Sequence, residues 1–287
     1  MDRLVDTDWL EGALDETDLV VLDCRVDVTT DGDGRSRFAS GRPAWERAHV
    51  PGARHADLLG ELSDPDADLP LMMPPAEWLA DQLGALGVGD GDRVVLYDDS
   101  YNMWAARVWW MLRAVGVDRA GVLDGGWTAW RAEERPTAAG AEPMPEPATL
   151  TPRPRPGLFL DTADVEERLE RPDTCLVDAL DPRVYRGERV DYGRPGHIPG
   201  AYNVPAVGLV DPDTGRYLPL EQLHEKLGAA PVHAADEVVT YCGGGVAASS
   251  VAFALGLIGV EDAAVYDGSL LAWTADPRRP MTTEPPG

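Results

Sequence analysis

The feature that most constrains this chain is that it repeats itself. His49-Val50-Pro51-Gly52-Ala53 returns as His197-Ile198-Pro199-Gly200-Ala201, 148 residues later. Val94-Val95-Leu96-Tyr97-Asp98 returns as Val238-Val239-Thr240-Tyr241-Cys242 after 144 residues, and Val122-Leu123-Asp124-Gly125 through Trp130 returns as Val265-Tyr266-Asp267-Gly268 through Trp273 after 143. Three markers that keep one order at nearly one spacing are the signature of an internal duplication, and the small drift is what insertions and deletions in loops produce. The 287 residues therefore divide into two copies of one unit, each long enough to bury a core of its own.

Between the copies, residues 136–157 contain Pro143, Pro145, Pro147, Pro152, Pro154 and Pro156. Proline at this density supports neither helix nor central strand, so the segment reads as a semi-rigid connector. The expected organisation is a first domain over 1–135, a linker over 136–157 and a second domain over 158–287. Within each copy, short β-branched apolar runs alternate with helical patterns, which predicts an α/β unit with a mainly parallel sheet flanked by helices. Strands are expected at 19–23, 94–97, 121–123, 176–178, 238–241 and 264–266. From about Tyr101, the residues Trp104, Val108, Met111, Leu112 and Val115 fall on one face at helical period. The run from Val246 to about Ile258 is apolar nearly all round and predicts a buried helix.

Composition removes several classes of function. A formal charge of −25 repels nucleic acid and anionic membrane surfaces alike. No apolar run approaches the ~18 residues of a membrane span, and the N-terminal residues lack a basic segment followed by an apolar core, so a cytoplasmic location is expected. An anionic substrate would need local positive charge, and with Lys226 the only lysine arginine must supply it. The three cysteines, Cys24, Cys175 and Cys242, are an odd number without C-x-x-C spacing, which fits neither a disulfide framework nor a zinc site. Cys24 and Cys175 lie in or beside apolar strand-like runs and read as structural thiols.

Cys242 is different. It ends an apolar strand and is followed by Gly243, Gly244 and Gly245, after which Val246, Ala247 and Ala248 open the buried helix. Without Cβ atoms the backbone can curl until several N–H groups converge, and the helix N-terminus adds partial positive charge. In such surroundings a thiol pKa falls from about 8.5 to roughly 3.5–7.5, so Cys242 is the expected nucleophile and residues 243–248 its anion cradle. The equivalent position in the first copy is Asp98, followed by Asp99-Ser100-Tyr101, which predicts neither a nucleophile nor a cradle there.

With these residues in place, the chain resembles the tandem-domain rhodanese family, the thiosulfate and 3-mercaptopyruvate sulfurtransferases. The resemblance rests on the two H-[VI]-P-G-A motifs, Ala106-Arg107-Val108-Trp109-Trp110-Met111-Leu112-Arg113, Leu123-Asp124-Gly125-Gly126-Trp127 and Tyr241-Cys242-Gly243-Gly244-Gly245-Val246. It implies a catalytically silent first domain and a second that carries a persulfide on Cys242. The implied reaction moves a sulfane sulfur from thiosulfate or 3-mercaptopyruvate to cyanide, a thiol or a thioredoxin-like protein, without metal or organic cofactor. The H-x-P-G motifs would be structural turns. Arg183, Arg186 and Arg189 resemble the family's substrate-arginine stretch, and a bidentate guanidinium suits a carboxylate or sulfonate-like group. The loop carries neither the cationic residues of thiosulfate-preferring relatives nor the serine and threonine of the C-G-S-G-V-T pattern, since Gly244 and Ala247 stand there. Lacking a cationic loop, it leans towards 3-mercaptopyruvate. A phosphatase signature would need arginine at position 248, where the chain has alanine. A persulfide carrier or regulatory binding module with little turnover is the alternative from another functional class.

Overall fold

The computed structural model describes every residue except 31, 33–35, 144, 170 and 287; residue 144 of the expected connector thus lies outside the described part. The chain forms two compact units. The first comprises 1–155 together with 212–217, and the second 156–211 together with 218–287.

The first unit contains β1 (Leu4–Val5), β2 (Leu19–Asp23), β3 (Val26–Thr30), β4 (Ser36–Ser40), β5 (Arg54–His55), β6 (Arg93–Tyr97) and β7 (Ala120–Leu123). The second contains β8 (Phe159–Leu160), β9 (Thr174–Asp178), β10 (Tyr202–Asn203), β11 (Glu237–Tyr241) and β12 (Ala263–Tyr266). The main sheets have orders β1-β7-β6-β2-β5 and β10-β9-β11-β12-β8, with every pairing parallel. Matching β1 to β8, β2 to β9, β5 to β10, β6 to β11 and β7 to β12 makes the two orders identical, so the repeat in the sequence is a repeat in topology. In both sheets the chain builds outwards in opposite directions from the boundary between the central strand and its neighbour, β6 and β2 or β11 and β9. In open α/β sheets, ligands bind beyond the carboxyl ends of the strands at such a switch point. The central strands end at Tyr97 and Tyr241, one residue before Asp98 and Cys242.

All six expected strands are present, and five of them begin one or two residues earlier than their apolar runs suggest. The helix Met103–Ala114 buries Trp104, Val108, Met111 and Leu112. It starts two residues later than expected because Tyr101 and Asn102 both have φ of 60°, a left-handed conformation that precedes the helix. The helix Val246–Leu257 buries nine of its residues, in keeping with its all-round apolar sequence. Periodicity did not indicate the two-residue edge strands, which are too short to show any, nor the antiparallel hairpin β3–β4.

The duplicated motifs do duplicated packing. Trp130 donates its indole N–H to Pro136 O at 2.8 Å and Trp273 to Pro280 O at 2.9 Å. The Tyr97 hydroxyl accepts the Val50 amide at 3.2 Å, as the Tyr241 hydroxyl accepts that of Ile198 at 3.1 Å. His49 and His197 are fully buried and bond through Nδ1 to the carbonyls of Trp45 and Tyr185, each at 2.7 Å. Both H-x-P-G segments thus act as anchored turns, with Gly52 and Gly200 at positive φ.

The proline-rich segment is fastened along the first unit. Ala138 pairs with His49, Ala148 N–H bonds Gly84 O, and Arg153 and Arg155 N–H bond the carbonyls of Val115 and Ala114.

Candidate active site

Cys242 is 3% exposed and follows β11 directly. The glycines after it serve different purposes. Gly245 caps the helix Val246–Leu257 at φ 81°, ψ −15°, a left-handed conformation that glycine adopts without steric cost. Gly243 lies under the Tyr192 ring: a Cβ there would come within 2.2 Å of two ring carbons and 2.4 Å of the phenol oxygen. Gly244 has room, since its Cβ would meet only Leu271 Cδ1 at 3.3 Å.

One residue that sequence reasoning missed organises this loop. Ser269 is fully buried at φ 48°, and its hydroxyl donates to Tyr266 O at 2.7 Å. The same oxygen accepts the amides of Cys242 at 3.0 Å and Gly245 at 3.2 Å. The expected cradle must therefore be corrected at one position, because the Gly245 N–H is already spent on Ser269. The first intrahelical bond runs from Ser249 N–H to Gly245 O, which leaves the preceding amides, of Val246, Ala247 and Ala248, without a helical acceptor. Cys242 O and Gly243 O accept Leu270 N–H and Leu271 N–H, both at 3.0 Å, and pin the loop from the other side. The signal for Ser269 lay in the repeat: Asp267-Gly268-Ser269 stands where the first copy has Asp124-Gly125-Gly126, and Gly126 also has positive φ.

The first copy overturns the expectation that it lacks a cradle. Asp98 accepts the Ser100 amide at 2.6 Å and the Asn102 amide at 3.1 Å through Oδ1, and the Ala105 amide at 2.8 Å through Oδ2. The loop there is one residue longer than the glycine loop and turns through the left-handed Tyr101 and Asn102, and the carboxylate of its own first residue fills it. Burial pushes the Asp98 carboxyl up to about 6 against the opposing pull of these amides. Ala105 N–H occupies the helical position that Ala248 N–H occupies in the second copy.

The three arginines are placed on the surface around the short helix Pro182–Tyr185. Arg183 pairs with Asp181 at 3.0 Å, Arg186 with Glu188 at 2.6 Å, and Arg189 with Asp191 at 2.8 Å and Asp181 at 3.4 Å. Arg183 holds the Asp181 carboxyl down at about 2. Of the three, Arg189 lies nearest in the chain to Tyr192, three residues before it. Beside the loop, the Asp178 carboxyl at the end of β9 is fully buried and pushed up to about 6 by that burial.

Cys24 and Cys175 are both buried free thiols, and burial raises both, Cys175 to about 11. Among the described residues, no group of three or more His, Cys, Asp or Glu side chains could hold a metal ion. No helix among them is long and apolar enough to cross a membrane.

Two parallel sheets of one topology, one ending in a self-filled cradle and the other in a cysteine loop, define a class. The model of the rhodanese-like domain matches residues 6–133 and 161–276, and the chain belongs to that family with the domain in two copies. A curated relative from Pseudomonas aeruginosa, a probable 3-mercaptopyruvate sulfurtransferase, is 38% identical over 98% of each chain. The human 3-mercaptopyruvate sulfurtransferase is 34% identical over 81% of this chain and 79% of its own. The crystal structure of SseA from Escherichia coli, described as a 3-mercaptopyruvate enzyme with the rhodanese fold, superposes with a TM-score of 0.83 at 29% identity, covering 94% of this chain and 99% of that one. The enzyme class that these relatives share with this chain is that of a rhodanese-type sulfurtransferase.

Proposed function

We propose that the enzyme takes the sulfur of 3-mercaptopyruvate onto Cys242 as a persulfide and passes it to a thiol, to a thioredoxin-like protein or to cyanide. The observation that carries this reading is the position of Cys242, at the carboxyl end of the central strand and ahead of the three helix amides of Val246, Ala247 and Ala248. In the first step the Cys242 thiolate attacks the donor sulfur. The S–S bond forms as the C–S bond breaks, the electron pair leaves with pyruvate as its enolate, and the proton of the donor thiol ends on the methyl carbon. The terminal persulfide sulfur then carries the negative charge, and preorganised amides stabilise it as an oxyanion hole stabilises oxygen. In the second step an acceptor thiolate or cyanide attacks that sulfur and restores the Cys242 thiolate.

The donor choice rests on charge. Thiosulfate carries two negative charges and calls for cations beside the nucleophile, whereas residues 242–248 contain none. A mercaptopyruvate carboxylate needs only one bidentate guanidinium at the rim. Arg189, three residues before Tyr192 in the chain, is favoured over Arg183 and Arg186 for that place. The first unit is read as catalytically silent because Asp98 occupies the position of the nucleophile.

The test is mass spectrometry of the chain after exposure to 3-mercaptopyruvate, with thiocyanate formation as the turnover assay. A gain of one sulfur atom is expected on Cys242. The variant Cys242→Ser should lose turnover by on the order of 10⁴-fold without loss of folding, while Cys24→Ser and Cys175→Ser keep it. Wild-type turnover in Cys242→Ser would overturn the mechanism.

A further inference from the structure

Tyr192 is the aromatic side chain that meets the Cys242 loop. Its ring packs against the one loop position where any side chain would collide with it, Gly243, the residue next to Cys242. The segment that delivers it is held firmly. Gly193 has φ of 68°, and a Cβ there would come within 2.7 Å of Thr274 Oγ1. Next along the chain, Arg194 donates to the carbonyls of Arg279 at 2.8 Å, Asp276 at 3.2 Å and Pro277 at 3.3 Å. The ring packs on the core cluster that contains Tyr241 and Leu270. Its hydroxyl makes no hydrogen bond among the described residues. Counting back from the paired histidines, the first copy has Ala44 at this place, so the phenol belongs to the unit that carries the cysteine.

We propose that Tyr192 is a catalytic residue whose phenol O–H donates a hydrogen bond to the carbonyl oxygen of 3-mercaptopyruvate as that oxygen takes up the charge of the departing enolate. This deepens the sulfur-transfer reading above and rests on it. Burial, followed by the nearby Cys242, raises the Tyr192 hydroxyl well above its ordinary value, so the group stays protonated and acts only as a donor. A neutral donor suits a charge that exists only while the C–S bond breaks, since such a bond strengthens in the transition state and not before. The second half-reaction forms no enolate and makes no demand on the phenol.

The two halves of the reaction separate this role from a structural one. Single-turnover loading of Cys242 from 3-mercaptopyruvate is compared with discharge to cyanide of enzyme loaded chemically with polysulfide, in wild type and in Tyr192→Phe, which keeps the ring over Gly243. Loading should slow by roughly 10²-fold, the usual cost of one donor to a developing oxyanion, while discharge stays within about twofold of wild type. Equal slowing of both halves would make Tyr192 a structural element of the loop, and unchanged loading would overturn the proposal with sulfur transfer intact. Failure of the wild type itself to load from 3-mercaptopyruvate would overturn both readings.

Discussion

A single side chain decides what each copy of the repeated loop can do. The backbone after each central strand turns its amides inwards, and whatever follows the strand must live with them. In the first copy that residue is Asp98, whose two oxygens accept three of those amides. In the second it is Cys242, and the buried Ser269 hydroxyl absorbs the two amides nearest the turn. Asp98 has a measurable consequence. Its folded-state carboxyl titrates at about 6 and an unfolded one near 3.8, so the fold favours the protonated form. That stability is fully present below the unfolded value and is lost as pH rises through about 6. The melting temperature should therefore fall between pH 4 and pH 7, with Asp178 contributing in the same sense. In Asp98→Asn, which cannot ionise, the fall should be shallower; thermal melts across that range check it, and an unchanged slope would show that Asp98 is not the group responsible.

At the scale of elements, the strand-to-helix turn after β11 depends on three glycines for unequal reasons, which predicts unequal tolerance. Gly243→Ala sets a methyl 2.2 Å from the Tyr192 ring, so the ring or the loop must move, and overpacking of this kind costs about 1–3 kcal/mol. Gly244→Ala sets one 3.3 Å from the end of the Leu271 side chain, which can give way, and should change stability by less than about 0.5 kcal/mol. Chemical denaturation of the two variants beside wild type is sufficient. Equal stability of both would mean that Tyr192 does not press on the loop in solution. Gly243→Ala should also lose more turnover than Gly244→Ala, because it displaces the phenol as well as the turn.

At the scale of the molecule, the boundary between units is not a single cut. Residues 212–217 belong to the first unit although they lie well inside the second half of the chain. There Asn102 Nδ2 donates to Gly215 O and the Tyr217 amide donates to Asp124 Oδ1, both at 2.8 Å; Arg216 bonds Glu133, and Tyr217 is buried. A fragment of residues 1–155 lacks all of these. Two hydrogen bonds at about 1 kcal/mol each and the burial of one aromatic ring at about 2 kcal/mol predict that it is less stable than the first unit of the intact chain by roughly 2–4 kcal/mol. Eight of the nine tryptophans lie within 1–155, so urea unfolding followed by tryptophan fluorescence reports this unit in both proteins. Coincident midpoints would show that 212–217 add nothing to it.

The duplication, the parallel α/β architecture, the central strands and the loop that presents Cys242 are legible in the chain alone. Each of these is written in residues adjacent in the chain: an apolar run followed by glycines and a helix, repeated in order. Encounters between residues far apart in the chain are set by packing, and no local pattern encodes them. Ser269 reaches the Cys242 loop from 27 residues away, Tyr192 covers Gly243 from across the domain, and residues 212–217 join the first unit from the second half of the chain. The carboxylate of Asp98 is the instructive intermediate case. Its identity and place were legible, and its filling of a cradle was not, because the amides that converge on it are backbone groups common to every sequence. Only the curl of the chain decides where they point.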